Sequence, residues 1–563
     1  MPSDIFTKFK EYSIAEFFKK NRQMLGFSGK VRTLTTIVHE YVTNSLDACE
    51  EHGLLPEIKI ELKELENGNI KIKIQDNGMG IPEKLIGKAL GQMLAGTKFA
   101  RYAQQRGQQG IGASGCTMYA LLTTGRPIYV ESRYDKVLMK CTLTIDFKSN
   151  APILNNIVKE ENINGTGLYI EAEFGEVRYD ASVYGVYEYL KRTALANPHA
   201  QITLIEPNGN NVLFPRSDDK VPPKPKDILP HPLGITTHDL IDFAKREENI
   251  TISSLLQQSF SRLSANKMQE IKALAQWLDF GKKSKNLTWE EADKLVHIFK
   301  QIKWVAPTTD SIIPIGKEQI EKAMKNILMP EFVAITERSP KVFRGGIPFL
   351  VEVAIAYGGN SGKLNSDGKR AGDIMRFANR VPLLFDSGGC ALTEAVKNLD
   401  WKRYGIKNFD ENPITVLINF VSVHVPYTGA GKQAVAQDEE ILDEIKNAVQ
   451  EAAREMQRYV GSVVRRRERE GKKKAVLRYV EQLSKDLTEL SCKESENIAE
   501  ELKINGLKTK ELKIEELRKR LIEIVERKYN SESKEEDREE GGEERREEIE
   551  IKREADGGAS EKT

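Results

Sequence analysis

Residues 37–51, IVHEYVTNSLDACEE, constrain the fold more than any other stretch. Read as a helix, they set Glu40, Asn44 and Asp47 along one stripe, because positions three and four apart lie on adjacent turns. Val38, Val42, Leu46 and Cys49 fall mainly on the opposite side and are expected to pack against a sheet. A carboxylate one turn from a carboxamide makes a metal and water station: Asn offers a neutral oxygen to a hard cation, and Glu orients or deprotonates a water. The same pattern alone also describes an ordinary solvated helix face, so the decision falls to the residues beyond it.

Residues 57–65 and 69–75 alternate apolar and polar side chains around Asn67-Gly68, which predicts a β-hairpin. The second strand runs into Asp76-Asn77-Gly78-Met79-Gly80. A carboxylate at a strand end suits an exocyclic amine, and the glycines let a flat ligand approach the backbone. Next comes RGQQGIGASG at 106–115, ahead of an apolar helix-like run at 116–123. Glycines before a helix expose backbone N–H groups at the positive end of its dipole, which is a phosphate cradle. Neither the P-loop nor the dinucleotide fingerprint fits this stretch. Each motif alone is weak; the three in this order and spacing are specific.

With Gly165-Thr166-Gly167 as the fourth element, the chain resembles the ATP-binding fold shared by gyrase, heat-shock chaperones, mismatch-repair ATPases and histidine kinases. Within that superfamily it resembles the B subunit of archaeal type IIB DNA topoisomerases over residues 12–465. The resemblance implies ATP and Mg2+ as ligands, with Glu40 activating the attacking water and Asn44 holding the metal. It implies that Asp76 reads the adenine amine, with Thr166 assisting partly through water. Gly107, Gln108, Gln109, Gly110, Ile111, Gly112, Ala113 and Ser114 would form a lid over the phosphates. Asp47, Gly78, Gly80, Thr97 and Lys98 are further nucleotide-site candidates, Lys98 as one able to reach phosphate. Tyr12 is another, from an N-terminal strap that crosses to the partner protomer. Lys432, on the tip Gly429-Ala430-Gly431, would enter the ATP site from another domain and neutralise the terminal phosphate.

The implied fold is α+β and multidomain. A strap (1–28) precedes a Bergerat-type α/β sandwich ATPase domain (29–216) with helices on one face of a mixed sheet. Six prolines between 215 and 233 predict an extended connector, 217–234. Helices are expected at 237–248, 252–258, 265–278 and 288–301, with Thr237 and Thr288 as N-caps and Glu291 completing a capping box. The family places a small all-helical helix-two-turn-helix domain there, 235–306. An α/β transducer domain, related to the second domain of gyrase B, would occupy 307–470. Its apolar runs at 348–357 and 414–423 suit buried strands, 375–385 reads as another strand, and 438–460 as a long helix. Beyond it, 471–530 reads as a charged helical extension and 531–563, with almost no apolar residues, as disordered. Nothing in this tail suits the immunoglobulin-like domain that some family members carry.

Net charge at pH 7 is only +1, so DNA contact would have to come from local patches such as the basic block RRREREGKKK, with Arg376 and Arg380 as minor contributors. Lys267, Lys272 and the lysines of 282–285 are no denser than on an ordinary surface. The five cysteines form no C-x-x-C pair, which argues against a zinc site or disulfide framework and fits a reducing cytoplasm. The expected setting is cytoplasmic and nucleoid-associated, away from membranes.

The expected activity is that of a type II DNA topoisomerase, this subunit supplying the ATPase. ATP-driven homodimerisation would gate passage of one DNA duplex through a break made by a separate A subunit in an A2B2 assembly, so that DNA is relaxed and decatenated. No metal-binding carboxylate cluster is found near a tyrosine of this chain, and it is the resemblance that assigns cleavage to that partner. The alternative is an ATP-gated clamp or chaperone of the same superfamily without a DNA-cleaving partner. A histidine kinase would need a phosphoacceptor helix ahead of Glu40, and a non-catalytic scaffold would not need Glu40 beside Asn44.

Overall fold

The computed structural model describes residues 13–96, 102–107, 110–365, 367–429, 431–502, 515 and 517–529. Tyr12, Thr97, Lys98, Gln108, Gln109 and the tail 531–563 lie outside the described residues. Contacts divide the chain into Met1–Met456 and Gln457–Thr563.

Helix α1 (Ile14–Asn21) opens with a capping box between Ser13 and Glu16. Its Phe18 is fully buried in this chain's own core, 5.4 Å from the Phe27 ring. Helix α2 (Lys30–Glu50) is the polar-striped helix, and Leu34, Ile37, Val38, Val42 and Leu46 are its buried face. The hairpin follows as β1 (Glu57–Glu64) and β2 (Ile70–Gln75), antiparallel as the Asn-Gly turn predicts. Helix α3 (Glu83–Gly91) leads towards the lid, and α4 (Gly112–Thr124) starts at its last glycines. Strands β3 (Ile128–Tyr134), β4 (Val137–Asp146), β5 (Ala151–Glu161) and β6 (Gly167–Phe174) come next. Then come α5 (Val186–Ala196), β7 (Gln201–Ile205) and β8 (Asn211–Phe214).

These strands form one eight-stranded mixed sheet, β5-β4-β3-β6-β2-β1-β7-β8, in which β1 and β7 are parallel. Alternation sets its register: Ile58, Ile60, Leu62, Ile70, Ile72 and Ile74 are buried in the core that α2 and α4 share. Positions between them form a charged ladder, Lys71 to Glu171 and Lys73 to Glu61, each at 2.8 Å. A one-residue slip would exchange the two faces. Strand β5 lacks the alternation of the inner strands because its edge position leaves Ile153, Ile157 and Val158 half exposed.

Residues 217–231 run without helix or strand, as the prolines predict. Helices α6 (Thr237–Arg246), α7 (Ile252–Ser259), α8 (Ala265–Leu274) and α9 (Trp289–Gln301) then close on a core that includes Leu240, Leu255, Phe260, Ile271 and Phe299. Thr288 and Glu291 form the expected capping box. The cap of α6 is Thr236 with Asp239, one residue earlier than Thr237, because Asp239 completes the box at that spacing. Lys267 and Lys282 pair with Glu270 and Glu291 at 2.6 Å.

Helix α10 (Lys317–Leu328) precedes strands β9 (Phe332–Glu337), β10 (Lys341–Phe343), β11 (Ile347–Tyr357), β12 (Lys363–Leu364), β13 (Arg370–Ala371), β14 (Asp373–Ala378) and β15 (Val381–Pro382). Helix α11 (Ala391–Lys397), β16 (Ile414–Ser422) and α12 (Glu439–Leu502) complete the order. Strands β11 and β16 are buried along almost their whole length, as their apolar runs imply, at the centre of the sheet β10-β11-β16-β14-β15.

Three expectations are corrected. Residues 375–385 are no single strand: Asn379 (φ +50°) and Arg380 (φ +67°) turn β14 back into β15, the two-residue geometry with both central φ positive. Arg376 and Arg380 are no basic surface, being 3% and 5% exposed with their guanidinium groups donating to backbone carbonyls. Helix α12 continues past residue 460 to Leu502, carrying the basic block within one helix despite Gly461 and Gly471. A helical glycine costs only about 1 kcal/mol, which the other residues of so long a helix outweigh.

Candidate nucleotide-binding site

Between α2, α4 and the end of β2 lies a cavity of about 510 Å3, within the usual size of a ligand cleft. Glu40, Asn44 and Asp47 reach its wall from α2, with Asp76 and Gly80 from the end of β2. Gly107, Gly110, Ile111, Gly112, Ala113 and Ser114 form the lid side, and Lys432 enters from the loop after β16. The sequence reading missed His39, Lys88 and Gln433, which also line it. Position beside Glu40 and Lys432 was the only signal for His39 and Gln433; Lys88 had none.

Asp76 is the most buried carboxylate of this wall. Its Oδ2 accepts from Ser45 Oγ at 2.6 Å, and its Oδ1 accepts from Gly78 N at 3.0 Å and Leu168 N at 3.1 Å. Burial raises its pKa above the usual carboxylate value, outweighing these donors. Gly78 thus acts on Asp76 and does not itself line the cavity. A Cβ at Gly78 would stand 3.0 Å from Ala48 Cβ. Gly80, at φ +73°, brings its backbone against the carbonyl of Arg133, where a Cβ would sit at 2.4 Å. Thr166 stands off the cavity, and Leu168 is the residue of that stretch that bonds Asp76.

Helix α4 begins at Gly112 without a side-chain cap, so its first-turn N–H groups and dipole face the cavity. The Ser114 hydroxyl donates back to the Ile111 carbonyl at 3.2 Å. Glu40 lies against this helix start: a Cβ at Gly112 would stand 2.0 Å from Glu40 Oε2. That clash is with the tip of a flexible side chain, so Gly112→Ala should fold normally while pushing the carboxylate aside. We expect ATP turnover in that variant to fall about tenfold or more, since an ångström of misplacement is costly in catalysis. Turnover measured beside thermal unfolding checks this; unchanged turnover would show that Glu40 does not act from this position.

His39 Nε2 lies 3.9 Å from Glu40 Oε1, and its ring packs edge-on against buried Tyr189. Burial lowers the His39 pKa; Glu40 opposes that shift and the Lys432 charge adds to it. Lys432 adopts φ +51°, and Gln433 beside it is tied down, its carbonyl accepting from Arg376 Nη1 at 3.3 Å.

Asp47 faces the cavity but one oxygen accepts from Arg106 Nη1 at 2.7 Å. Arg106 also forks onto Glu50, at 2.9 and 2.6 Å, and donates to Asn197 Oδ1 at 2.7 Å. His199 adds a 2.8 Å contact to Glu50. Burial would raise the Glu50 pKa, but Arg106 and His199 hold it well below the usual carboxylate range. Such a pair is costly to break from one side, about 3–5 kcal/mol, because the remaining charge stays buried.

No group of three or more His, Cys, Asp or Glu side chains in metal-binding arrangement occurs among the described residues. The exposed Asn44 carboxamide fits a Mg2+ that takes most of its oxygens from phosphate and water.

Residues 29–150 match the family described as histidine kinase-, DNA gyrase B- and HSP90-like ATPase. Residues 307–474 match the topoisomerase VI B subunit transducer. The B subunit of type 2 DNA topoisomerase 6 from Methanothermobacter thermautotrophicus is 49% identical over 463 residues, 81% of this chain and 88% of that protein. The protein of the same name from Pyrococcus horikoshii is 43% identical, over 88% of this chain and 95% of its own length. No helix among the described residues is long and apolar enough to cross a membrane. With an ATPase-family segment, a transducer-family segment and identity of this extent to full-length relatives, the chain belongs to the family of type 2 DNA topoisomerase 6 B subunits.

Proposed function

We propose that this chain binds and hydrolyses ATP in the cavity between α2 and α4 to drive the gate of a type IIB DNA topoisomerase. The observation that carries the proposal is convergence: Glu40, Asn44, Asp76, the uncapped start of α4 and Lys432 all line one cavity. Asp76 accepts from the adenine amine, and the N–H groups of α4 and its preceding glycines hold the phosphates. Glu40 takes the proton of the attacking water, and the Lys432 ammonium offsets charge on the terminal phosphate. Mg2+, held by Asn44, supplies further charge neutralisation. Asp47 serves through Arg106, at the base of the lid.

Two protomers dimerise when ATP is bound, and a separate A subunit makes the double-strand break through which a DNA duplex passes, in an A2B2 assembly. The test is ATP-dependent relaxation of supercoiled DNA with and without that subunit. Relaxation only with both supports the proposal; ATP hydrolysis that no A subunit ever converts into relaxation would favour the clamp or chaperone reading.

The raised pKa of Asp76 predicts a pH signature. As pH falls through that pKa the carboxylate gains a proton and accepts the adenine amine less well. ADP affinity should therefore begin to weaken at a higher pH than an ordinary aspartate would dictate, by about tenfold or more, as for a hydrogen bond to a charged group. Asp76→Asn should lose this component and keep the titration of the phosphates. Parallel ADP titrations of the two proteins against pH decide it; coincident profiles would remove Asp76 from the adenine.

A further inference from the structure

Residues 102–106, the stem that leads into the lid, are bonded to pieces of chain far outside the ATPase sheet. Tyr102 N donates to Asp227 Oδ1 at 2.8 Å, and Ile228 N donates to the Tyr102 carbonyl at 3.2 Å. Gln104 N donates to the Ser311 carbonyl at 2.9 Å, and its Oε1 accepts from Ile313 N at 2.6 Å. The Gln105 carbonyl accepts from Asn379 Nδ2 at 3.0 Å. Arg106 binds Asp47, Glu50 and Asn197, and Asn197 in turn donates to the Arg380 carbonyl at 3.3 Å.

The far end of these bonds is stiff. Asn379 Oδ1 accepts from Ser422 N and its amide donates to the Ser422 carbonyl, both at 2.9 Å. Arg380 N donates to Asn419 Oδ1 at 3.1 Å, and its guanidinium caps the Pro314 carbonyl at 2.6 Å. Asn419 is tied to buried Glu352 at 2.7 Å. A turn whose two central residues are both bonded to central strand β16 transmits a small displacement instead of absorbing it.

The near end has room. A cavity of about 180 Å3 borders Arg106, Glu50, Asn379 and Arg380. The Nε atoms of Arg106 and Arg380 are buried without a hydrogen bond among the described residues, so the cluster holds spare donors for a second arrangement. Strand β14 also carries Arg376, which grips the Gln433 carbonyl beside Lys432. The two sides of the nucleotide cavity therefore meet on one hairpin, at Arg376 and at Asn379.

We propose that residues 102–106 are a second connection, separate from Lys432, through which the lid and the transducer sheet bias one another, with Arg106 and Asn379 as its positioning residues. The proposal rests on reading 107–115 as the phosphate lid. When the lid changes position its stem pulls on the β14–β15 turn and on residues 311–313. When the transducer shifts, the same bonds move the lid. Lys432 reports the terminal phosphate; the stem reports the lid.

The test is hydrogen exchange on the full chain with ADP and with a non-hydrolysable ATP analogue. Three peptides are read: the lid (110–115), the transducer entry (311–316) and the turn (379–383). In the wild type, all three should exchange at least about threefold more slowly with the analogue than with ADP. Gln104→Ala removes the bond to Ile313 and is read at 311–316, the distant peptide that this bond reaches. Asn379→Gly keeps the positive φ, removes the side-chain bonds to Gln105 and Ser422 and is read at the turn, the distant peptide on that side. Each variant should keep ADP affinity within about twofold and retain the lid response, yet lose the nucleotide-dependent difference at the distant peptide. Thermal unfolding shows which variants are folded, and either one suffices. A lid response without any response in the wild-type transducer, or a distant difference that survives in a folded variant, would overturn the inference. No response at the lid itself would overturn the reading of the lid, and the connection with it.

Discussion

Glu40→Gln is expected to bind ATP and ADP normally, to close its dimer, and to hydrolyse ATP at least about a hundredfold more slowly than the wild type. The substitution keeps the size of the side chain and its place against the start of α4, where the Glu40 carboxylate lies. It removes only the ability to take a proton. Turnover and nucleotide affinity measured on both proteins separate the outcomes. Near-normal turnover would remove Glu40 from the chemistry. Lost binding would make it a structural residue of the cavity wall.

Lys432→Ala should bind ADP about as well as the wild type, while ATP turnover falls about a hundredfold and closure triggered by an ATP analogue weakens. A single preorganised charge aimed at the reacting phosphate contributes on this scale. The lysine reaches the cavity from the loop between β16 and α12, whose neighbour Gln433 is gripped by Arg376. A contact with the terminal phosphate would exist only before hydrolysis, so its loss would be passed to the transducer as a change of domain angle. The check is turnover beside ADP and analogue affinities. A mutant that hydrolyses ATP and closes normally would reduce Lys432 to a solvated loop lysine.

The parts of this site that were legible in the sequence are those carried by short spacing. Glu40, Asn44 and Asp47 fall on one helix face by periodicity, Asp76 ends a strand whose alternation is clear, and the lid glycines directly precede an apolar helix. Buried strands β11 and β16 were equally plain, because both faces of each are covered. What stayed hidden depends on residues that meet only in three dimensions. Arg106 gathers Asp47, Glu50 and Asn197, and no spacing announces that cluster. The β14–β15 turn was disguised because Asn-Arg, with no glycine, adopts two positive φ angles. Arg376 and Arg380 looked like surface charge because sequence does not show the carbonyls that they cap.

The most direct test of an ATP gate in this chain is its full-length mass by sedimentation with ADP and with a non-hydrolysable ATP analogue. If the cavity of Glu40, Asn44, Asp76 and Lys432 is such a gate, the analogue should shift the wild type to a dimer and ADP should not. Asp76→Ala should stay monomeric with either nucleotide. Equal mass with ADP and analogue in the wild type, or an unaltered shift in Asp76→Ala, would contradict it.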